Sequence, residues 1–198
     1  MIVVLVVLAA VFAALTLLVR AGGAVVMLDG AVQAGLTAMR LRPIVVGFEW
    51  LTQAGTGGTG AIVSLVASAL LWSSGRGRLV MPLWVAFLGA EATTWSMKFI
   101  AGRARPPFVE GLTAASPSFP SAHSTVTIAV YGFLAMVVAA GAPARFRNDI
   151  MAVTAVLVVL IGFSRLLLSL HYLSDVVAGA VVGAFWLVLA WRMVQAGG

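Results

Sequence analysis

Six stretches of this chain are so apolar, with so little polar sequence between them, that only a bilayer can serve as their solvent. They cover residues 2–19, 60–72, 79–98, 123–140, 150–169 and 174–191. A helix crossing the hydrocarbon core needs about 20 apolar residues, or fewer where neighbours shelter its ends. In lipid, only helices and closed barrels satisfy their own backbone. Of 198 residues, 62% are hydrophobic and 9% charged, too few polar groups to coat a soluble domain. The expected fold class is therefore all-α. It is a six-transmembrane-helix bundle, one integral membrane domain over residues 1–198, with a short interfacial helix between the first and second spans. No basic residue precedes Arg20, so the first stretch reads as a span and not as a secretory leader.

The interfacial helix is placed at residues 29–42. There Val32, Leu36 and Met39 recur at helical spacing, with Gln33, Arg40 and Arg42 among them. Pro43 is expected to end it, and residues 44–51 to lie at the surface or dip into it. Gly55, Gly57 and Gly60 fit G-x-G-x-x-G, but no strand precedes them, so the segment reads as a flexible turn. Gly179 and Gly183 form a small-xxx-small pair, read as a close helix contact within the bundle, with a dimer seam as the other reading.

The net charge is +6, yet its Lys and Arg fall singly or in pairs between apolar runs. Such residues are juxtamembrane anchors, and no nucleic-acid partner is expected. The chain has no cysteine, which excludes disulfide and thiolate chemistry. Six alternating spans put Arg76, Arg78, Arg145, Arg147 and Arg192 on one side, against Arg20, Arg40 and Arg42 on the other. The positive-inside rule then places the termini in the cytoplasm. Trp84, Trp95, Trp186 and Trp191 read as packing and interface-belt residues.

The remaining ionisable residues carry the chemistry. Lys98, Arg103 and Arg105 close the third span, His123 opens the fourth, and Arg165, His171 and Asp175 straddle the junction of the fifth and sixth. All three junctions face one compartment, and charges at membrane depth mark function. Several cations with two histidines and one carboxylate make an anion site, because guanidinium forks match phosphate oxygens. The turn before His123 opens a helix, whose free amides favour an anion. His171 and Asp175 are four apart, so in a helical turn they share a face. A carboxylate on one ring nitrogen fixes the tautomer and leaves the other nitrogen free to attack.

These residues resemble the motifs of the type 2 phosphatidic acid phosphatases, membrane lipid phosphatases related to vanadium haloperoxidases. The K-x6-R-P motif reads Lys98 to Arg105-Pro106. P-S-G-H reads Pro120-Ser121-Ala122-His123, with Ala122 in place of Gly. S-R-x5-H-x3-D reads Ser164-Arg165, His171 and Asp175. If Ala122 occupies the first helical turn it fits without strain, which is the expectation here.

The resemblance implies roles. His171 attacks phosphorus, Asp175 orients it, and His123 protonates the leaving oxygen and then activates water. Lys98, Arg105, Arg165, Ser121 and the Ala122 amide hold the phosphoryl oxygens. No metal or other cofactor is implied, and the acidic residues are too scattered to ligate one. Arg103 is read as a phosphate ligand or a headgroup anchor. Glu91 is read as a protonated acid bonded to a neighbouring helix, or else as a partner of the basic site.

The expected function is hydrolysis of a lipid phosphate or pyrophosphate through a phosphohistidine, among membrane lipids as its partners, on the outer face of a bacterial plasma membrane. Undecaprenyl or decaprenyl pyrophosphate is the preferred substrate. Phosphatidate, phosphatidylglycerol phosphate and lipid A phosphate are alternatives, as is transfer to a lipid hydroxyl. A non-enzymatic anion channel fits less well, since a pore needs no His-x3-Asp pair.

Overall fold

The computed structural model describes residues 2–107 and 114–197, and among these no strand occurs. Part of the Pro-rich break at residues 105–120 thus lies outside the described residues. The helices are α1 (Ile2–Ala21), α2 (Ala24–Gly35), α3 (Arg42–Thr52), α4 (Gly57–Ser73), α5 (Val80–Ala101), α6 (Ala122–Val126), α7 (Gly132–Gly141), α8 (Ala144–Leu167) and α9 (Leu173–Ala196). A π-helical turn, Thr127–Tyr131, joins α6 to α7 in one continuous rod, Ala122–Gly141. Four helices are long and apolar enough to cross a membrane: α1, the α6–α7 rod, α8 and α9. The chain is an integral membrane protein.

Every expected span coincides with a helix, though the ends move. The break before α8 shrinks to Ala142 and Pro143, so Arg145 and Arg147 ride on the helix itself. The glycine-rich segment before the second span also changes character. Residues 57–60, expected as a flexible turn, are the first turn of α4, whose N-cap Thr56 accepts a hydrogen bond from the Thr59 amide at 3.1 Å. Glycine there is a packing device. A Cβ on Gly60 would lie 2.6 Å from Val126, so α4 and α6 pass in near-backbone contact.

The segment between α1 and α4 is helical over more residues than expected. It runs as α2 and a 3-10 turn, Thr37–Met39, then bends by 118° into α3. Pro43 does not end a helix but sits in the first turn of α3. Its missing N–H costs nothing there, because the first amides of a helix have no intrahelical partner. This bent pair lies against the loop joining α8 to α9. Gln33 Nε2 donates to the His171 carbonyl at 2.8 Å, and Arg40 Nε donates to the Leu167 carbonyl at 3.0 Å.

One apolar core joins α4, α5, the α6–α7 rod and α9 around Leu83, Phe87, Val126, Val130 and Phe133. The small-residue pair of α9 serves this core. A Cβ on Gly179 would collide with the Ser121 carbonyl, and one on Gly183 would lie 2.6 Å from the Thr125 carbonyl. The seam is thus within the chain, between α9 and α6, and it holds the first turns of the two helices together, where the Ser121 amide donates to the Asp175 carbonyl. By contrast α1 has no buried residue. It leans chiefly on α9, and Phe12 stacks on the buried Phe119 with ring centroids 5.9 Å apart.

Candidate active site

Helix ends build the site. Lys98 is in the last turn of α5, His123 in the first turn of α6, Arg165 in the last turn of α8, and Asp175 in the first turn of α9. A cavity of about 410 Å³ brings together Lys98, Arg105, Ala122, His123, Arg165 and His171, with Glu91, Trp95, Gly57 and Gly58 also on its wall.

His171 itself precedes α9 in a tight loop, where Ser169 adopts a left-handed φ of 55°. That rare conformation reverses the chain. The Leu170 and His171 amides then both donate to the Arg165 carbonyl, at 3.0 and 3.1 Å. His171 Nδ1 lies 3.4 Å from Asp175 Oδ2, a contact too long or oblique to count as a hydrogen bond, so the carboxylate faces the ring nitrogen without gripping it. On the far side of the ring, Arg105 Nη1 is 3.2 Å from Nε2. A guanidinium can only donate. Nε2 must therefore offer its lone pair, and the ring proton sits on Nδ1, toward the carboxylate. Burial lowers the His171 pKa well below the ordinary 6.5, and Arg165, Lys98 and Arg105 push it the same way. Both effects favour the neutral imidazole, with its Nε2 lone pair toward the cavity that Lys98, Arg105 and Arg165 line.

Backbone carbonyls hold Lys98 and Arg105, and a side-chain hydroxyl holds Arg165. Lys98 Nζ donates to the Pro117 carbonyl at 2.7 Å and to Ser118 at 3.3 Å. Arg105 donates to the Ser116 carbonyl at 2.7 Å and to Leu170 at 2.6 Å. Arg165 donates to Thr52 Oγ1 at 2.8 Å, while its Nε has no partner. Gly55 gives His123 its seat, since a Cβ there would lie 3.1 Å from the ring. Ala122 is the first residue of α6, and the residues with positive φ do not include it, so the Gly-to-Ala departure carries no strain.

Three expectations are corrected. Ser121 does not line the cavity. It is fully buried, its Oγ accepting from Ser124 at 3.3 Å and its amide donating to the Asp175 carbonyl at 3.0 Å. Arg103, expected as a phosphate ligand or a headgroup anchor, does not line the cavity. Its Nη1 donates to Asp175 Oδ1 at 2.6 Å and to Ser174 Oγ at 2.7 Å, and its Nη2 to Asp29 Oδ2 at 2.7 Å. The guanidinium lies 4.3 Å above the Tyr172 ring. Burial opposes its charge, but the two carboxylates outweigh that and raise its pKa. Glu91 is not bonded to a neighbouring helix. Its Oε2 accepts from Trp95 Nε1, one turn along α5, at 3.0 Å, and its Oε1 has no partner.

Asp29 and Gln33 were missed as site residues. Both are buried, and Asp29 also accepts from the Ser174 amide and hydroxyl at 2.9 and 2.6 Å. A signal was available: Asp29, Gln33 and Arg40 repeat at helical spacing as a polar stripe inside an apolar segment.

The chain matches the PAP2 superfamily over residues 79–198. It is 32% identical over 83 residues to phosphatidylglycerophosphatase B of Bacillus subtilis (strain 168), a match spanning 41% of this chain and 41% of that relative. Its fold is that of the transmembrane PAP2 type phosphatidylglycerolphosphate phosphatase from Bacillus subtilis, with a TM-score of 0.87 and 21% identity over 97% of this chain and 96% of that one. Aquifex aeolicus LpxE is also similar, with a TM-score of 0.63 and 21% identity over 81% and 92% of the two chains.

Proposed function

The chain belongs to the PAP2 superfamily, and on that premise we propose that it hydrolyses a lipid phosphate without a metal, through a phosphohistidine at His171. The observation that carries this reading is the placement of the His171 ring, with Asp175 beside Nδ1 and Arg105 beside Nε2, in a cavity that also gathers Lys98, Arg165 and His123. Nε2 forms the N–P bond as the P–O bond to the lipid alcohol breaks. His123 gives its proton to the departing oxygen. It then takes one from water as that water cleaves the N–P bond and frees phosphate. Asp175 keeps the Nδ1 proton and stabilises the positive ring. Lys98, Arg105, Arg165 and the Ala122 amide hold the phosphoryl oxygens, where transition-state charge is greatest.

For the substrate we favour a glycerolipid phosphomonoester such as phosphatidylglycerol phosphate over the polyprenyl pyrophosphate expected from the sequence. Support comes from the name of the Bacillus relative. Phosphate release by the purified protein, across lipid phosphates matched in detergent, tests both claims. Vanadate, which mimics five-coordinate phosphorus, should inhibit, and EDTA should leave the rate unchanged. No release from any lipid phosphate sinks the hydrolase reading. Because the His171 pKa is lowered, the attacking neutral form persists as pH falls through 6.5. The acid limb of kcat/KM should therefore not lie at the ordinary imidazole value. A His171 limb at 6.5 or above contradicts this account.

The same reading has six spans, α4 and α5 being the other two, a single domain, cytoplasmic termini and a site opening on the outer face of a bacterial plasma membrane. The chain has no cysteine to mask. In intact cells with a permeabilised outer layer, an Ala115→Cys variant should react with a membrane-impermeant thiol reagent and Ser74→Cys should not; both positions are exposed. The reverse labelling overturns the orientation.

A further inference from the structure

The cavity that gathers Lys98, Arg105 and Arg165 also contains a carboxylate, which is foreign to a site built only for phosphate. Glu91 is aimed, not loose: Trp95 fixes Oε2 at 3.0 Å, while Oε1 is out of contact with solvent and has no hydrogen-bond partner. Among the described residues it makes no ion pair with the nearby cations. Space is kept for it, since a Cβ on Gly57 would lie 3.1 Å from Oε2. Neither of these contacts supplies Oε1 with a donor.

Its depth says what it meets. Glu91 lies seven residues before Lys98 on α5. At 1.5 Å per residue its backbone is about 10 Å further from the phosphate end of the helix, toward the bilayer middle. A lipid whose phosphate sits among the cations must run its alcohol in that direction to reach its tail. A carboxyl group with a free oxygen accepts a hydrogen bond from a neutral hydroxyl. In its ionised form it repels a second phosphate, and in a site partly shut from water that repulsion is weakly screened. Resting on the hydrolase reading above, we propose that Glu91 determines specificity, selecting phosphomonoesters whose alcohol carries a free hydroxyl near the scissile bond and rejecting lipid pyrophosphates.

The test uses the purified full chain and three substrates of matched tail length: a lysophosphatidate, a plain alkyl phosphate and a prenyl pyrophosphate. In the unmodified protein, kcat/KM should fall at least tenfold from the lysophosphatidate to each of the others. Glu91→Gln keeps the shape and the Trp95 bond but removes the charge. It should close most of the gap to the pyrophosphate and erase most of the hydroxyl preference. Unchanged ratios, or an equal fall on all three substrates, overturn the proposal. Should Glu91→Gln not fold, equal rates on the first two substrates in the unmodified protein overturn it, and a tenfold hydroxyl preference supports it. Absence of turnover on every substrate would instead defeat the hydrolase reading. Thermal shift with inorganic pyrophosphate then still reads Glu91: a larger stabilisation of Glu91→Gln than of the unmodified protein upholds its role, and an equal shift removes it.

Discussion

Replacing His171 with alanine is expected to abolish turnover, and Asp175→Asn to lower kcat by roughly 10⁴-fold, the scale seen when a carboxylate that sets a catalytic tautomer becomes an amide. The geometry explains why so small a change costs so much. Asp175 Oδ2 faces Nδ1 at 3.4 Å, and a carboxylate can only accept there. An asparagine can turn its NH2 toward Nδ1 instead. The ring proton would then move to Nε2, facing the Arg105 guanidinium, and no lone pair would point at phosphorus. With the native residues, labelled substrate should leave acid-labile, base-stable phosphate on the protein during turnover. That label should vanish in His171→Ala. Near-normal activity in that variant would remove the phosphohistidine from the mechanism.

Arg103→Leu should be nearly as damaging, by another route. The guanidinium is 12% exposed and neutralises two carboxylates, Asp29 and Asp175, that are 1% and 0% exposed. Removing one partner of a buried ion pair leaves uncompensated charge and costs about 3–5 kcal/mol. For a chain near 200 residues that is a melting decrease of roughly 6–20 °C. Activity should fall as well, because Asp175 loses the contact at Oδ1 that aims Oδ2 at His171. Arg103→Lys should rescue little, since a single ammonium cannot span both carboxylates and Ser174 as the fork does. Thermal unfolding in detergent, with the exposed Arg76→Leu as control, checks this. A melting temperature and rate like those of the unmodified protein would show that Arg103 positions nothing.

Residues whose role depends on spacing along the chain could be read from the sequence. Lys98, His123 and Arg165 sit at helix ends and Arg105 and His171 in the loops that follow them, so once the spans are drawn the topology must bring them together, and one cavity holds them all. What could not be read depends on partners far away in sequence. Arg103 reaches residues 72 and 74 positions distant, and Asp29 reaches Ser174 at a separation of 145. Charge type says that such groups need partners but not which way the side chain turns, and Arg103 turns from the cavity into the protein. Pro43 shows a different ambiguity: the same missing N–H suits a helix stop and a helix start, and only the path of the preceding turn separates them. Gly55 and Gly57 mimicked a nucleotide fingerprint. Their purpose, space for His123 and Glu91, appears only when neighbouring helices are in place.

The pairing of α1 with α9 bears on how the protein is made. A nascent chain emerges from its N-terminal side, so α1 must wait for α9 before its main contact exists. At about 5–20 residues per second, synthesis from one to the other takes roughly 10–35 s. Throughout that interval α1 lacks its main packing partner, yet it is stable in lipid because the amides of its interior are bonded within the helix. The site cannot close earlier either, because α9 brings Asp175 and the glycine seam against α6. Assembly of this enzyme is therefore gated by its final helix. Ribosomes stalled before residue 173 should yield a membrane-inserted chain with no site at all.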